Sequence, residues 1–269
     1  MLLAAAGGVH ALTGSAGTRA ARTSEPVAPR PASAQSAATA SPRPPAGVAA
    51  RKATPAPAPG SDDVPQSGTA LIDVPTQSQL PALPNGCEVT SLSMLLSFAQ
   101  RPVDKLVLAR TQDTDRGQPV FAGTQHDFYS ISRWGNPNDS FVGRVDGRYG
   151  YGIYHGPLAR LLDRQLPGRS DDLTGRPFSE VLEHLRQGTP VVLWTTTTFR
   201  PPSRWVTWAT PHGPFRATQA EHAVLLIGYT PGHLVINNPL SGQRESVQAA
   251  PFLVSWQQMG RQALTVTHT

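Results

Sequence analysis

The sequence predicts an α+β domain in which a helix that carries the single cysteine packs on an antiparallel sheet. Apolar residues recur at helical spacing directly after Cys87. Two apolar runs of strand length flank a turn at residues 230–232, which indicates a hairpin. Proline marks where the domain begins, because ten of the 27 prolines lie within residues 26–65, a stretch too poor in large apolar side chains to build a core.

The chain divides into three segments by composition. Residues 1–25 resemble the apolar and cleavage regions of a secretory signal without its positive leading region, so we expect a truncated signal or an anchor segment. Residues 26–68 are rich in Pro and Ala, which predicts a disordered, extended linker. Residues 69–269 are long enough for one compact domain.

The net charge does not indicate a nucleic-acid partner. The chain carries 23 Lys and Arg against 18 Asp and Glu, and six and three of these, respectively, precede residue 69. The domain is therefore only slightly basic, and it has no basic cluster interleaved with aromatic residues. We expect no binding to nucleic acid.

Cys87 is predicted to lie in the first turn of an amphipathic helix of about three turns. Asn85 and Glu88 have the spacing of a capping pair, in which each side chain would satisfy a free backbone amide. Free amides and the helix dipole stabilise a thiolate, so this position favours a nucleophile over a buried structural cysteine.

The predicted hairpin supplies a base for that nucleophile. With residues 230–232 as its loop, Tyr229 faces His233 and His222 falls opposite Leu240. Asn238 then lies on the face of His222, whereas Asn237 points away unless a bulge shifts the register. A cysteine, a histidine and an orienting amide form the arrangement of nucleophilic catalysis.

The other elements complete the α+β prediction. The antiparallel sheet is expected to contain residues 191–197, 222–229, 234–237 and 263–267, with a short strand near 70–74. Helices are expected near residues 103–110, 157–166 and 178–187.

The oxyanion of an acyl-transfer reaction needs donors, and the sequence offers two candidates besides the backbone amide of Cys87. Gln77 and Gln79 precede the cysteine by ten and eight residues, and spacing alone does not choose between them. No two histidines have metal-ligand spacing on one helix, and no acidic cluster accompanies them. We therefore expect no metal and no cofactor.

The domain resembles the C39-like cysteine peptidases of the papain-like clan, in particular their stand-alone bacterial branch. The resemblance rests on Val-Pro, Gln and Asn-Gly-Cys-Glu-Val-Thr-Ser-Leu around residue 87 and on His-Ala-Val-x-Leu-x-Gly-Tyr from residue 222. It implies a papain-like fold with Cys87 as nucleophile, His222 as base and Gln79 in the oxyanion hole. Asn238 occupies the position of the orienting residue, where the branch more often has Asp.

The middle of the chain also looks like this branch. A segment dense in glycine and aromatic residues runs from Trp134 to residue 157 and suits a loop that lines a cleft. Trp134 and His155 are the candidate substrate contacts in it, and packing between helices is the alternative interpretation.

The function expected from these residues is thiol-dependent hydrolysis of peptide bonds through an acyl-enzyme. Two alternatives stay open: a peptidoglycan amidase or endopeptidase of a related papain-like family, and a non-catalytic surface binding module on the same fold. The expected partner is a peptide or protein substrate. The protein is expected to be a monomer that is secreted or extracytoplasmic, and membrane anchoring and association with the cell envelope both stay open.

Overall fold

The structure, a computed structural model, describes residues 68–267. The predicted signal or anchor segment (residues 1–25) and all but the last residue of the predicted linker (26–68) lie outside the described residues.

Five α-helices lie within the described part of the chain. They are α1 (Cys87–Phe98), α2 (Lys105–Thr111), α3 (His155–Gln165), α4 (Phe178–Arg186) and α5 (Ala249–Gln258), and a single 3-10 turn spans Phe128–Ser130. Among residues 68–267, no helix combines the length and the hydropathy that a bilayer crossing requires.

Thirteen strands occur in the same range, and they form three sheets. They are β1 (Ala70–Leu71), β2 (Thr114–Asp115), β3 (Val120–Phe121), β4 (Ile131–Arg133), β5 (Phe141–Val142), β6 (Ser170–Asp172), β7 (Val191–Thr196), β8 (Val206–Thr210), β9 (Gly213–Ala217), β10 (Glu221–Thr230), β11 (His233–Asn238), β12 (Gln243–Gln248) and β13 (Ala263–Val266).

The largest sheet has seven antiparallel strands. Its order is β12-β11-β10-β7-β13-β6, and β1 pairs with the second half of β10 beyond the end of β7. Because β10 has neighbours on both sides, it lies in the interior of the sheet and nine of its ten residues are buried. The strand that carries the candidate base is therefore held rigidly.

A second sheet of four strands stands apart from the first. Its order is β3-β4-β8-β9, with β4 and β8 parallel. Aromatic rings fill its inner side: Trp208 packs edge-on against Tyr151 at 5.2 Å between ring centroids and against Phe128 at 5.9 Å. The Nε1 of Trp208 donates to the carbonyl of Gly135 at 2.9 Å, so its one polar group is satisfied in the core.

Helix α1 is buried nearly all round, whereas the sequence predicts an amphipathic helix. Every residue from Cys87 to Leu96 is buried. The non-apolar face consists of small hydroxyl side chains that bond inside the protein: Thr90 donates to the Gly86 carbonyl at 2.7 Å, Ser91 to Ala223 at 3.4 Å and Ser93 to Val103 at 2.6 Å. These bonds let a face that reads as polar in the sequence pack in the interior.

The α+β prediction is confirmed, including the antiparallel sheet beneath the cysteine helix. Each predicted helix and strand has a counterpart, with ends shifted by up to three residues. The second sheet, β6, β12 and α5 are not in the prediction. Their strands are short or lie on polar stretches such as Gln243–Gln248, where no apolar alternation marks a strand.

Candidate active site

The start of α1 places Cys87 at the first helical position, but the predicted capping by Asn85 and Glu88 is wrong. The N-cap residue is Gly86, which has no side chain to cap the helix. The Nδ2 of Asn85 donates instead to the carbonyls of Arg144 and Gly147, at 2.9 and 2.7 Å. Asn85 thus ties the chain entering α1 to a distant loop.

Glu88 also points away from the helix start. Its Oε1 accepts the backbone N–H of Ile153 at 2.8 Å, and its Oε2 accepts the thiol of Cys87 at 3.4 Å. The carboxyl of Glu88 therefore satisfies the buried backbone amide of Ile153, which belongs to a distant segment.

The β10–β11 hairpin brings His222 and Asn238 together by a different route from the predicted one. The loop has two residues, because Thr230 pairs with His233, whereas the sequence suggests three. A bulge between Leu226 and Gly228 then shifts the register by one residue, so that Leu225 pairs with Asn237. Beyond the bulge the register is the predicted one, which puts His222 and Asn238 on one face.

The imidazole of His222 is held by the Asn238 side chain. Nε2 of His222 lies 2.8 Å from Oδ1 of Asn238, which also accepts the N–H of Leu240 at 3.0 Å. The amide orientation is fixed because Nδ2 of Asn238 donates to Glu245 at 2.9 Å. An amide oxygen can only accept, so Nε2 carries the proton and Nδ1 is left as a base. Asn237, the alternative, donates to the carbonyl of Val74 at 2.8 Å instead.

Gln79 is the glutamine that reaches the site. It is buried, and its Nε2 donates one hydrogen to the Pro84 carbonyl at 2.8 Å, just before α1. Its backbone N–H donates to the carbonyl of Pro239, at the end of β11, at 2.8 Å. Gln77 does not line the cleft described next.

A cleft of about 700 Å³ has Gln79, Cys87 and His222 in its lining. Its lining also includes strand β3 of the second sheet and the segments that connect β3 to β4 and β4 to β8, which contribute six aromatic residues, Phe121, Phe128, Tyr129, Trp134, Tyr149 and Tyr151. The cleft is large enough for several residues of a peptide. Trp134 thus lies where the sequence places it, in the wall.

The structure does not bring His155 to this cleft. His155 is the first residue of α3, and its Nδ1 lies 2.6 Å from Oδ2 of Asp172 in β6. Its backbone N–H donates to Gln262 at 3.1 Å. The imidazole therefore joins α3 to the main sheet, and the substrate contact predicted for it has no support in its position.

Two glycines of the middle segment are explained by close approach. A Cβ on Gly150 would lie 2.1 Å from the Arg144 carbonyl and 2.5 Å from Nδ2 of Asn85. A Cβ on Gly152 would lie 2.5 Å from Oε1 of Glu88 and 3.0 Å from Oε2 of Glu221. Only glycine lets this segment lie against the base of the site.

Two buried carboxyl groups beside the cysteine escape sequence reasoning. Glu88 and Glu221 come from α1 and β10, and one oxygen of each lies within 4.8 Å of the other and of the Cys87 sulfur. The expectation that no acidic cluster accompanies the histidines is not touched by this group, because it contains the cysteine and no histidine. The available signal was Glu221 at the head of a largely apolar strand, an unusual place for a carboxyl group.

These carboxyls and the burial set the protonation state of the site. Burial first, then the charges of Glu88 and Glu221, raise the pKa of the Cys87 thiol well above its usual value. Burial lowers the pKa of His222 to about 4, against the opposing effect of the hydrogen bond that the imidazole donates to Asn238. The predicted thiolate is therefore wrong for the resting site: the thiol keeps its proton and the imidazole is neutral.

Comparison with known proteins gives one consistent result. Residues 71–264 match the family described as the Peptidase_C39 like family. The uncharacterized protein YvpB of Bacillus subtilis (strain 168) is 36% identical over 190 residues, which is 71% of this chain and 72% of YvpB. The crystal structure of a candidate C39-like peptidase from Bacillus anthracis is 37% identical, has a TM-score of 0.68, and matches over 76% of this chain and 99% of that one.

Proposed function

Because the chain belongs to the C39-like peptidase family and has a papain-like α+β fold, we propose that it is a cysteine peptidase that uses Cys87, His222 and Asn238. The observation that carries the proposal is the 2.8 Å hydrogen bond between Nε2 of His222 and Oδ1 of Asn238. It leaves Nδ1 as the basic nitrogen of an imidazole that lines the same cleft as the only cysteine.

The first step transfers a proton within the site. Since the resting thiol and imidazole are both neutral, Nδ1 of His222 takes the Cys87 proton as the sulfur attacks the peptide carbonyl. Asn238 accepts from the imidazolium and stabilises it. Loss of water from the cleft on substrate binding strengthens this hydrogen bond.

The second step stabilises and then resolves the intermediate. The backbone N–H of Cys87 and the second hydrogen on Nε2 of Gln79 are the proposed donors to the oxyanion. His222 returns its proton to the leaving amine, and a water that His222 activates then hydrolyses the thioester and frees Cys87.

The test is cleavage of a fluorogenic peptide library by the purified domain, together with labelling by an activity-based cysteine probe. Cys87→Ala and His222→Ala should abolish turnover, whereas His233→Ala, at the exposed end of the hairpin, should not. Gln79→Ala should lower kcat, and Gln77→Ala is its matched control. Full turnover by His222→Ala would overturn the proposal.

Zymography on cell-wall material distinguishes a peptidase from the alternative, a wall hydrolase. Clearing of the wall material without cleavage of any library peptide would favour the wall hydrolase. A Cys87→Ser protein with full biological effect would favour the binding module.

Export, cell-envelope association and the monomeric state stay predictions from the sequence. Cell fractionation with an antibody to the domain checks the first two, and sedimentation of the purified chain checks the third.

A further inference from the structure

Three acidic groups are buried together at the base of the cleft. The Cys87 thiol and the carboxyls of Glu88 and Glu221 have ligand atoms within 4.8 Å of one another, and all three residues are buried. Within residues 68–267, no ion pair to Glu88 or Glu221 occurs, so the cluster has no protein cation to balance it. Burying such groups without a counter-charge is costly.

Glu221 shows that the cluster is also short of hydrogen bonds. Its Oε1 has no hydrogen-bond partner among the described residues, although the side chain is buried with only 8% exposure. A Cβ on Gly152 would lie 3.0 Å from Oε2 of Glu221, so Gly152 packs against that oxygen. Oε1, the other oxygen of the same carboxyl, is the one left without a partner.

We propose that Cys87, Glu88 and Glu221 form a three-ligand site for Zn²⁺ that is entered from the cleft. A thiolate and carboxylates are ligands that Zn²⁺ prefers, at about 2.3 Å for sulfur and about 2.0–2.2 Å for oxygen. Small side-chain movements from the present spacing reach these distances. Cys87 and Glu221 line the cleft, which supplies the entry path and leaves a fourth position open to water.

Binding balances the charge of the cluster. The thiol releases its proton to solvent as the zinc–sulfur bond forms, and the cation replaces the protons that otherwise keep the carboxyls neutral. The spacing of histidines in the sequence does not reveal this site, because its ligands come from α1 and β10 and include no imidazole.

The consequence for activity rests on the proposed function. A sulfur bound to Zn²⁺ cannot attack a carbonyl, so the metal would inhibit the peptidase reversibly. Binding itself does not depend on whether the protein cleaves peptides, and the two claims can fail separately.

The test is a titration of the metal-free protein with Co²⁺, followed by displacement with Zn²⁺. A cobalt–thiolate bond gives a near-ultraviolet charge-transfer band, which reports the Cys87 ligand without any activity assay. We expect a band that saturates at one Co²⁺ per chain, is lost in Cys87→Ala and is removed by Zn²⁺.

The variants Glu88→Gln and Glu221→Gln keep the side-chain shape and should each weaken Zn²⁺ binding by about tenfold or more. Glu183→Gln, on the exposed face of α4, is the matched control and should bind like the wild type. Thermal unfolding of each variant checks that it folds.

Absence of the band in the folded wild type would overturn the site, and so would unchanged Zn²⁺ affinity in both Gln variants. Weakening by His222→Ala alone would assign the metal to a Cys87–His222 pair and also contradict the proposal. Peptidase assays in EDTA decide the proposed function independently.

Discussion

Burial and a hydrogen bond to Asn238 set the protonation state of the His222 side chain. The buried position keeps the imidazole neutral, and Asn238 fixes the proton on Nε2. The thiol of Cys87 is protonated and bonded to Glu88 in the same resting state. The mechanism proposed above therefore begins with a neutral thiol and needs the substrate to complete the proton transfer.

Asn238→Ala is expected to lower kcat roughly 10- to 1,000-fold, because the imidazole loses the acceptor that fixes its tautomer. Asn238→Asp keeps an acceptor and should retain most activity. Its negative charge should also raise the pKa of His222 and so move the acidic limb of the pH–rate profile to higher pH. Steady-state kinetics against pH measures both effects, with Asn138→Ala, at an exposed position, as the control. An unchanged kcat in Asn238→Ala would show that the amide does not position His222.

Cys87 is expected to react with iodoacetamide more slowly than free cysteine near neutral pH, because burial first, and then the neighbouring carboxyls, raise its pKa. Glu221→Gln removes one of these carboxyls and should speed alkylation several-fold, whereas Glu183→Gln should not. Labelling rates of EDTA-treated protein across pH measure the effect. Fast labelling in mild acid that His222→Ala abolishes would instead indicate a thiolate–imidazolium pair.

Helix α1 and the loop that covers its first turn act as one unit. Asn85 bonds the loop through two carbonyls, and Gly150 and Gly152 allow the loop to approach the helix within van der Waals distance. The glycine density of this segment therefore serves contact with Asn85, Glu88 and Glu221. A change in the loop should reach the cleft through these contacts.

Gly152→Ala is expected to destabilise the protein by about 1–3 kcal/mol and to lower activity, because its Cβ would lie 2.5 Å from Glu88 Oε1. Gly156→Ala is the matched control. Its Cβ meets nothing within 4 Å and the residue lies in α3, so it should be neutral or stabilise by up to about 1 kcal/mol. Chemical denaturation and peptidase assays compare the two variants. Equal stability in both would remove close packing as the reason for Gly152.

The hairpin shows how far sequence reasoning reaches. Apolar runs around a turn were sufficient to predict β10 and β11 and to select Asn238, since strand alternation decides which side chains share a face. The loop length and the bulge were not predictable from the sequence pattern. The loop is one residue shorter than expected and the bulge adds one residue to β10, so the two differences cancel at His222 and Asn238. The Glu88–Glu221 contact is between elements distant in sequence, and no local pattern marks it.

At the scale of the whole domain, among residues 68–267, the titrations of His222 and Glu88 have opposing effects on how stability depends on pH. Burial lowers the pKa of His222 to about 4, so stability is lost as pH falls from 6.5 through 4. Burial raises the pKa of Glu88 from its usual 4.5 to about 7, so its contribution is present below pH 4.5 and is lost as pH rises through 7. Stability should therefore decline on both sides of mildly acidic pH.

Glu88→Gln isolates the second of these effects. As pH rises from 4.5 to 8, the free energy of unfolding of the variant is expected to increase by about 1–3 kcal/mol relative to that of the wild type. This range follows from the rise in the Glu88 pKa from 4.5 to about 7. Urea denaturation at both pH values, with EDTA present, measures the gain. For Glu183→Gln, the difference in free energy of unfolding from the wild type should be the same at both pH values. The same result for Glu88→Gln would place the Glu88 pKa near its usual value.

The proposed nucleophile lies on the first helix of the domain and its proposed base on the tenth strand. A growing chain therefore emerges from the ribosome with its thiol long before the imidazole. Translation that stops anywhere ahead of β10 would yield a fragment that lacks the proton acceptor of the proposed mechanism.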